Sequence, residues 1–77
     1  MENMEKTIDY KAIDRKAILD YLTSVPDGEV EVSKVMAESG ADKFRVYPLL
    51  FELQLEGIIA VTQESDMGTP RRVALRK

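Results

Sequence analysis

Cysteine, histidine and tryptophan are all missing from the 77 residues. Without cysteine there is no disulfide, no thiolate nucleophile and no Cys-ligated zinc. Without histidine, the commonest general base and the commonest metal ligand are gone as well. No apolar run exceeds a few residues, so nothing reads as a membrane span. The N-terminus has no basic stretch leading into an apolar one, so no secretory signal is visible. Glycines number only four and prolines three, so each one punctuates the chain instead of belonging to a loose tract. No acid pair sits in a glycine-rich or nucleophile-elbow context, and neither Gly28 nor Gly40 belongs to a phosphate-cradling motif. These absences leave a cytoplasmic, non-enzymatic domain without metal or cofactor as the expectation.

What is present fits one small domain. A core of this size rarely supplies more than ~3–5 kcal/mol of stability without a staple, so every apolar residue counts. The net charge of −3 argues against a polyanionic partner, but its distribution argues the other way. Residues 1–42 hold ten acids and five bases, residues 43–68 four acids and two bases. Residues 69–77 hold Arg71, Arg72, Arg76 and Lys77 and no acid. Local field rather than net charge steers a polyanion, so a basic strand on an acidic body can mark a binding edge. The alternative is a solvated strand whose charges happen to be positive.

Residues 1–10 read as an N-terminal arm and 11–77 as the folded domain, with Ile8 and Tyr10 able to dock as a short extended segment. From Ala12, the residues Ile13, Ala17, Ile18, Tyr21, Leu22 and Val25 recur at helical spacing. Pro26 ends that helix near Ser24, and Pro26-Asp27-Gly28 is a turn by composition. Glu29 to Val32 alternates as a very short strand. Ser33 stands where an N-cap belongs, before a second helix from Lys34 to Ser39 with Val35 and Met36 facing inward and Gly40 as its stop. Asp42 is the next N-cap, and a third helix runs from Lys43 to about Glu56, ended by Gly57. Ile58 to Glu64 and Arg71 to Lys77 then form a hairpin through Ser65–Pro70, with Ile59, Val61, Val73 and Leu75 on its apolar face. The order α-β-α-α-β-β contains a helix-turn-helix followed by a hairpin. That is an α+β winged helix.

The third helix carries more apolar surface than one core needs. At 100° per residue, Val46, Leu49, Leu50 and Leu53 form the core stripe, while Phe44, Pro48, Phe51 and Leu55 form a second one. Three explanations fit the second stripe: cover by the first helix or the arm, burial in a homodimer, or a different protein partner. Pro48 implies a mild kink in a helix that starts at Asp42, since its ring removes an intrahelical hydrogen bond.

The run Val46-Tyr47-Pro48-Leu49-Leu50, continuing through Leu53, Glu56, Gly57, Ile58 and Ile59, resembles the helix-to-wing junction of PadR-like winged-helix regulators. Those carry a Tyr-Pro-x-Leu motif, a later leucine and a Gly-(Leu/Ile)-Ile step. Gly68-Thr69-Pro70-Arg71-Arg72 is similar to their wing tip and return strand. The likeness covers residues 44–76, and Phe51 and Leu55 depart from it at positions that are usually polar. It implies the winged-helix fold and an ancestral role in DNA binding.

Two functions from different classes follow. The first is a transcriptional regulator that binds double-stranded DNA. Lys43, Arg45 and Tyr47 would reach bases or phosphates from the third helix, Ser33 and Lys34 would touch the backbone, and Thr69, Arg71 and Arg72 would act from the wing. Against this, Lys43 and Arg45 could be a solvated helix face, with Arg45 beside Asp42. The second function is a protein-interaction or dimerisation module that uses Phe44, Phe51 and Leu55, with no nucleic acid. A homodimer through the third helix or the N-terminal arm is compatible with either.

Overall fold

A computed structural model describes residues 8–26 and 28–76. Residues 1–7, Asp27 and Lys77 lie outside the described residues, and with them most of the expected arm and the centre of the Pro26-Asp27-Gly28 turn. The element order is α1 (Tyr10–Ser24), β1 (Glu29–Glu31), α2 (Val32–Glu38), α3 (Lys43–Leu55), β2 (Ile59–Glu64) and β3 (Pro70–Leu75). The chain is therefore α+β, three helices against a three-stranded antiparallel sheet of order β1-β3-β2.

Local chemistry sets most boundaries. The Asp9 carboxylate accepts from the Ala12 N–H at 3.0 Å, so α1 starts two residues earlier than the apolar spacing implied. Tyr10 is thus the first helical residue and not part of an extended arm. Asp42 caps α3 as expected, accepting from the Phe44 N–H at 2.8 Å. At the other end the Ile58 N–H reaches the Leu53 carbonyl at 2.9 Å and the Gly57 N–H the Gln54 carbonyl at 3.0 Å. These two bonds are the Schellman pattern, which needs a left-handed residue at C′. Gly57 supplies it with φ +78°.

Two expectations need correction. Ser33 is not the N-cap of α2, because the helix begins at Val32 with Glu31 in the cap position and no side-chain cap bond. Burying Val32 beneath the sheet outweighs the capping preference of the serine: Val32 sits in the core and Ser33 points outward. Ile13 is exposed, and Asp14 takes the buried place next to it, one position round the helix.

The core is one layer deep. Ile18 and Leu22 of α1, Val32 and Val35 of α2, and Val46, Leu49, Leu50 and Leu53 of α3 meet Val30, Ile59 and Val73 of the sheet. Burying a residue of this type stabilises by ~1.5–3 kcal/mol, so the expected α3 core stripe supplies the largest single share.

The sheet brings the hairpin tip, Met67 to Pro70, alongside Tyr47, Pro48 and Phe51 of α3. Val61 pairs with Val73, but Gln63 already pairs with Arg72, so Thr62 is an extra residue on β2. A bulge of this kind increases twist and re-aims side chains. Here Thr62 Oγ donates to Glu29 at 2.6 Å, across the sheet on β1. The tip closes through the Ser65 N–H on the Thr69 carbonyl and the Gly68 N–H on the Ser65 carbonyl, both at 2.9 Å.

Candidate functional site

The eleven residues singled out from the sequence separate into distinct groups once folded. Ser33 at the start of α2, Tyr47 on α3, and Arg71 and Arg72 on β3 line one small cleft of about 140 Å³, with Gln63 and Pro70 closing its hairpin side. Tyr47 also lines a neighbouring apolar groove of about 570 Å³, formed by Pro48 and Phe51 of α3 and by Met67, Gly68, Thr69 and Pro70 of the hairpin tip. Tyr47 therefore joins the polar cleft to the apolar groove. Lys34 faces a third cleft with Tyr21, Glu29, Glu38 and Arg72. Lys43 and Arg45 line none of the three.

Electrostatics divide the basic residues further. Among the described residues, Lys34, Lys43 and Arg71 form no ion pair, and all three are exposed. Arg45 is held inside the protein's own framework. Its Nη1 donates to Asp14 Oδ2 at 2.9 Å and lies 3.5 Å from Asp42, and its guanidinium stacks 5.5 Å from the centre of the Tyr10 ring. Asp14 is the one buried charged side chain among the described residues, 7% exposed. A carboxylate at that depth requires a partner, so Arg45 first serves to tie α1 to α3. The sequence pointed to Asp42 as the nearby acid; Asp14, thirty-one residues away, is closer.

Arg72 is likewise engaged. Its Nε donates to Glu29 Oε2 at 3.1 Å, and its Nη1 approaches Glu31 at 3.6 Å. The hydroxyl of Thr62 and then the guanidinium of Arg72 hold the Glu29 carboxyl below the usual carboxylate range. On the far side of α3, Arg15 binds Glu56 through two nitrogens at 2.6 and 3.0 Å, and Lys11 binds Glu52. The Arg15 contact lowers the Glu56 pKa, and the Glu52 contact raises that of Lys11.

The second stripe on α3 is not covered by α1. Phe44 is 89% exposed, Phe51 61% and Leu55 72%. Met67, at the hairpin tip facing Phe51 across the groove, is 89% exposed and extends the same apolar surface. Met67 is not among the residues singled out, although an apolar residue in the six-residue Ser65–Pro70 turn is the signal that would have found it. Large aromatic and aliphatic side chains grouped on one exposed face mark contact surfaces more often than isolated ones do.

Among the described residues, no group of three or more acidic, histidine or cysteine side chains could hold a metal ion. No described helix is long and apolar enough to cross a membrane. Comparison with models of known families, with curated proteins and with solved structures finds no match.

Proposed function

We propose that this chain is a winged helix that binds double-stranded DNA as a transcriptional regulator, with α3 and the β2–β3 hairpin as the contacting elements. The observation that carries the reading is the cleft in which Ser33, Tyr47, Arg71 and Arg72, from three separate elements, come together. The Tyr47 hydroxyl beside the Arg71 guanidinium, which forms no ion pair among the described residues, suits a phosphate oxygen, while the Ser33 hydroxyl donates to Glu31 of the same cleft at 3.5 Å and would have to turn from it to join them. Lys43 on the first turn of α3 and Lys34 on α2 add exposed cations that form no ion pair among the described residues. The element order, and the resemblance of residues 44–76 to PadR-like regulators, favour it further. Arg45 and Arg72 take secondary parts, because each already neutralises acids of the protein itself.

Binding to a fluorescein-labelled mixed-sequence duplex, followed by anisotropy across a salt series, tests the proposal. Each phosphate neutralised contributes about −0.9 to the slope of log K against log salt. Lys34, Lys43 and Arg71, which form no ion pair among the described residues, predict a slope of about −3, and Arg71→Ala should reduce it by about one. Absence of binding at low salt, or a slope near zero, would remove the DNA reading.

A second reading is favoured by the exposure of Phe44, Phe51 and Leu55. In it, the same fold is a protein-interaction module, and α3 meets another protein instead of the major groove. An interface of that kind barely responds to salt, so the same titration separates the two.

A further inference from the structure

The exposed apolar stripe of α3 has an order that selects its own occupant. Phe44, Pro48, Phe51 and Leu55 are separated by four, three and four residues, a spacing that reads the same in both directions. Two copies of α3 laid antiparallel about a two-fold axis between Pro48 and Phe51 therefore meet in register. Phe44 of each copy faces Leu55 of the other, and Pro48 faces Phe51. A two-fold contact must be self-complementary in this sense.

The charges agree with the same arrangement. On the flank of the stripe nearest α1, Arg45 occupies the first half of the helix, and Glu52 and Glu56 the second. In an antiparallel pair each flank meets its own counterpart reversed, so Arg45 of one copy falls between Glu52 and Glu56 of the other, an attraction added to the pairs these groups already make within each copy. A parallel pair would instead set this flank against the opposite one, where Lys43 stands near Arg45 and only Gln54 meets the two glutamates, so the match of opposite charges is lost. The helix dipoles also oppose favourably only in the antiparallel sense.

The geometry points to a homodimer in which α3 packs antiparallel against α3 of a second copy, with Met67 of each hairpin tip closing the edge of the contact. A buried phenylalanine contributes ~150–250 Å², so Phe44 and Phe51 of two copies, with Leu55 and Met67 beside them, give on the order of 1,000 Å². That lies at the lower limit for a specific interface, and it makes a dimer that forms and separates with concentration. The inference does not depend on DNA binding, and the experiments use no DNA.

Sedimentation equilibrium of the full chain should show the weight-average mass rising with concentration from 8.7 kDa toward twice that value. Phe51→Glu should return it to the monomer mass at every concentration. Phe51 is outside the core, so the variant should keep its fold, as judged by circular dichroism, and Leu55→Ser provides an independent check. Orientation is read by disulfide trapping, which is clean because the chain has no cysteine. Phe44 and Leu55 are eleven residues apart, ~16 Å along the helix. A mixture of Phe44→Cys and Leu55→Cys chains in a glutathione buffer should form the mixed disulfide several-fold in excess of either homodisulfide. A monomer at all concentrations, an unchanged dimer in both Phe51→Glu and Leu55→Ser, or a preference for homodisulfides would each overturn the proposal.

Discussion

Arg45 shows how a side chain can be assigned to a partner before its neighbours are known. On a helical wheel it is a basic residue near the start of α3, and so a candidate for phosphate. In the folded chain it answers the buried Asp14. The two members of the pair are not equivalent. Arg45→Ala leaves a carboxylate in the core without a partner and should cost about 1–3 kcal/mol. Asp14→Ala should cost less, since Arg45 is more than a third exposed and still has Asp42 and water. Urea unfolding of both variants checks this, and equal losses would show that the burial of Asp14 does not set the energetics. Glu56 and Glu29 make the second residue-level prediction. Both have depressed pKa values in the folded chain. A group of that kind contributes stability that is fully present above its unfolded pKa and is lost as pH falls through the folded one. Stability should therefore hold down to about pH 5 and fall progressively below the ordinary glutamate value of ~4.3. Glu56→Gln should flatten that acid limb; a limb of unchanged steepness would assign it to other carboxylates.

At the scale of elements, what could be read in advance divides by range. The bounds of α3, its Asp42 cap, its Gly57 stop and its core stripe were all legible, because caps and periodicity act within a few residues. The β-α boundary at Val32 was not, since there tertiary burial of Val32 competed with the local preference of Ser33 and prevailed. The bulge at Thr62 also escaped, because it depends on how β2 registers against β3. Nor does the exchange of Ile13 for Asp14 on α1 follow from spacing alone; it requires Arg45 from another helix. Of the expected site, the Ser33, Tyr47, Arg71 and Arg72 group comes together, while Lys34 and Lys43 stand apart from it. Two substitutions on α3 test this local physics. Gly57→Ala meets no neighbouring atom but must hold φ +78°, so it should cost ~1 kcal/mol from backbone strain alone. Pro48 lies at the sixth position of α3, where its missing N–H leaves the Phe44 carbonyl without its helical donor. Pro48→Ala should therefore raise stability, by about 1 kcal/mol or more. Thermal or urea unfolding reads both, and a destabilised Pro48→Ala would mean that the proline's shape is needed in the groove with Phe51 and Met67.

The whole molecule places opposite chemistries side by side. Arg71 on the hairpin and Lys43 on α3, cations that pair with no acid among the described residues, accompany an apolar face made by Phe44, Phe51, Leu55 and Met67. Tyr47 belongs to both the polar cleft and the apolar groove. Self-association through the apolar face and DNA binding through the polar one would therefore share a residue, and each should weaken the other. If α3 and the hairpin together bind DNA as proposed, an amide chemical-shift titration of isotope-labelled protein with mixed-sequence duplex DNA at low salt should show it. Ser33, Lys43, Tyr47, Thr69 and Arg71 should shift, and the shifts should reverse when salt is added. If none of these amides moves at millimolar DNA, or if the changes ignore salt, α3 and the hairpin are not a DNA-binding surface.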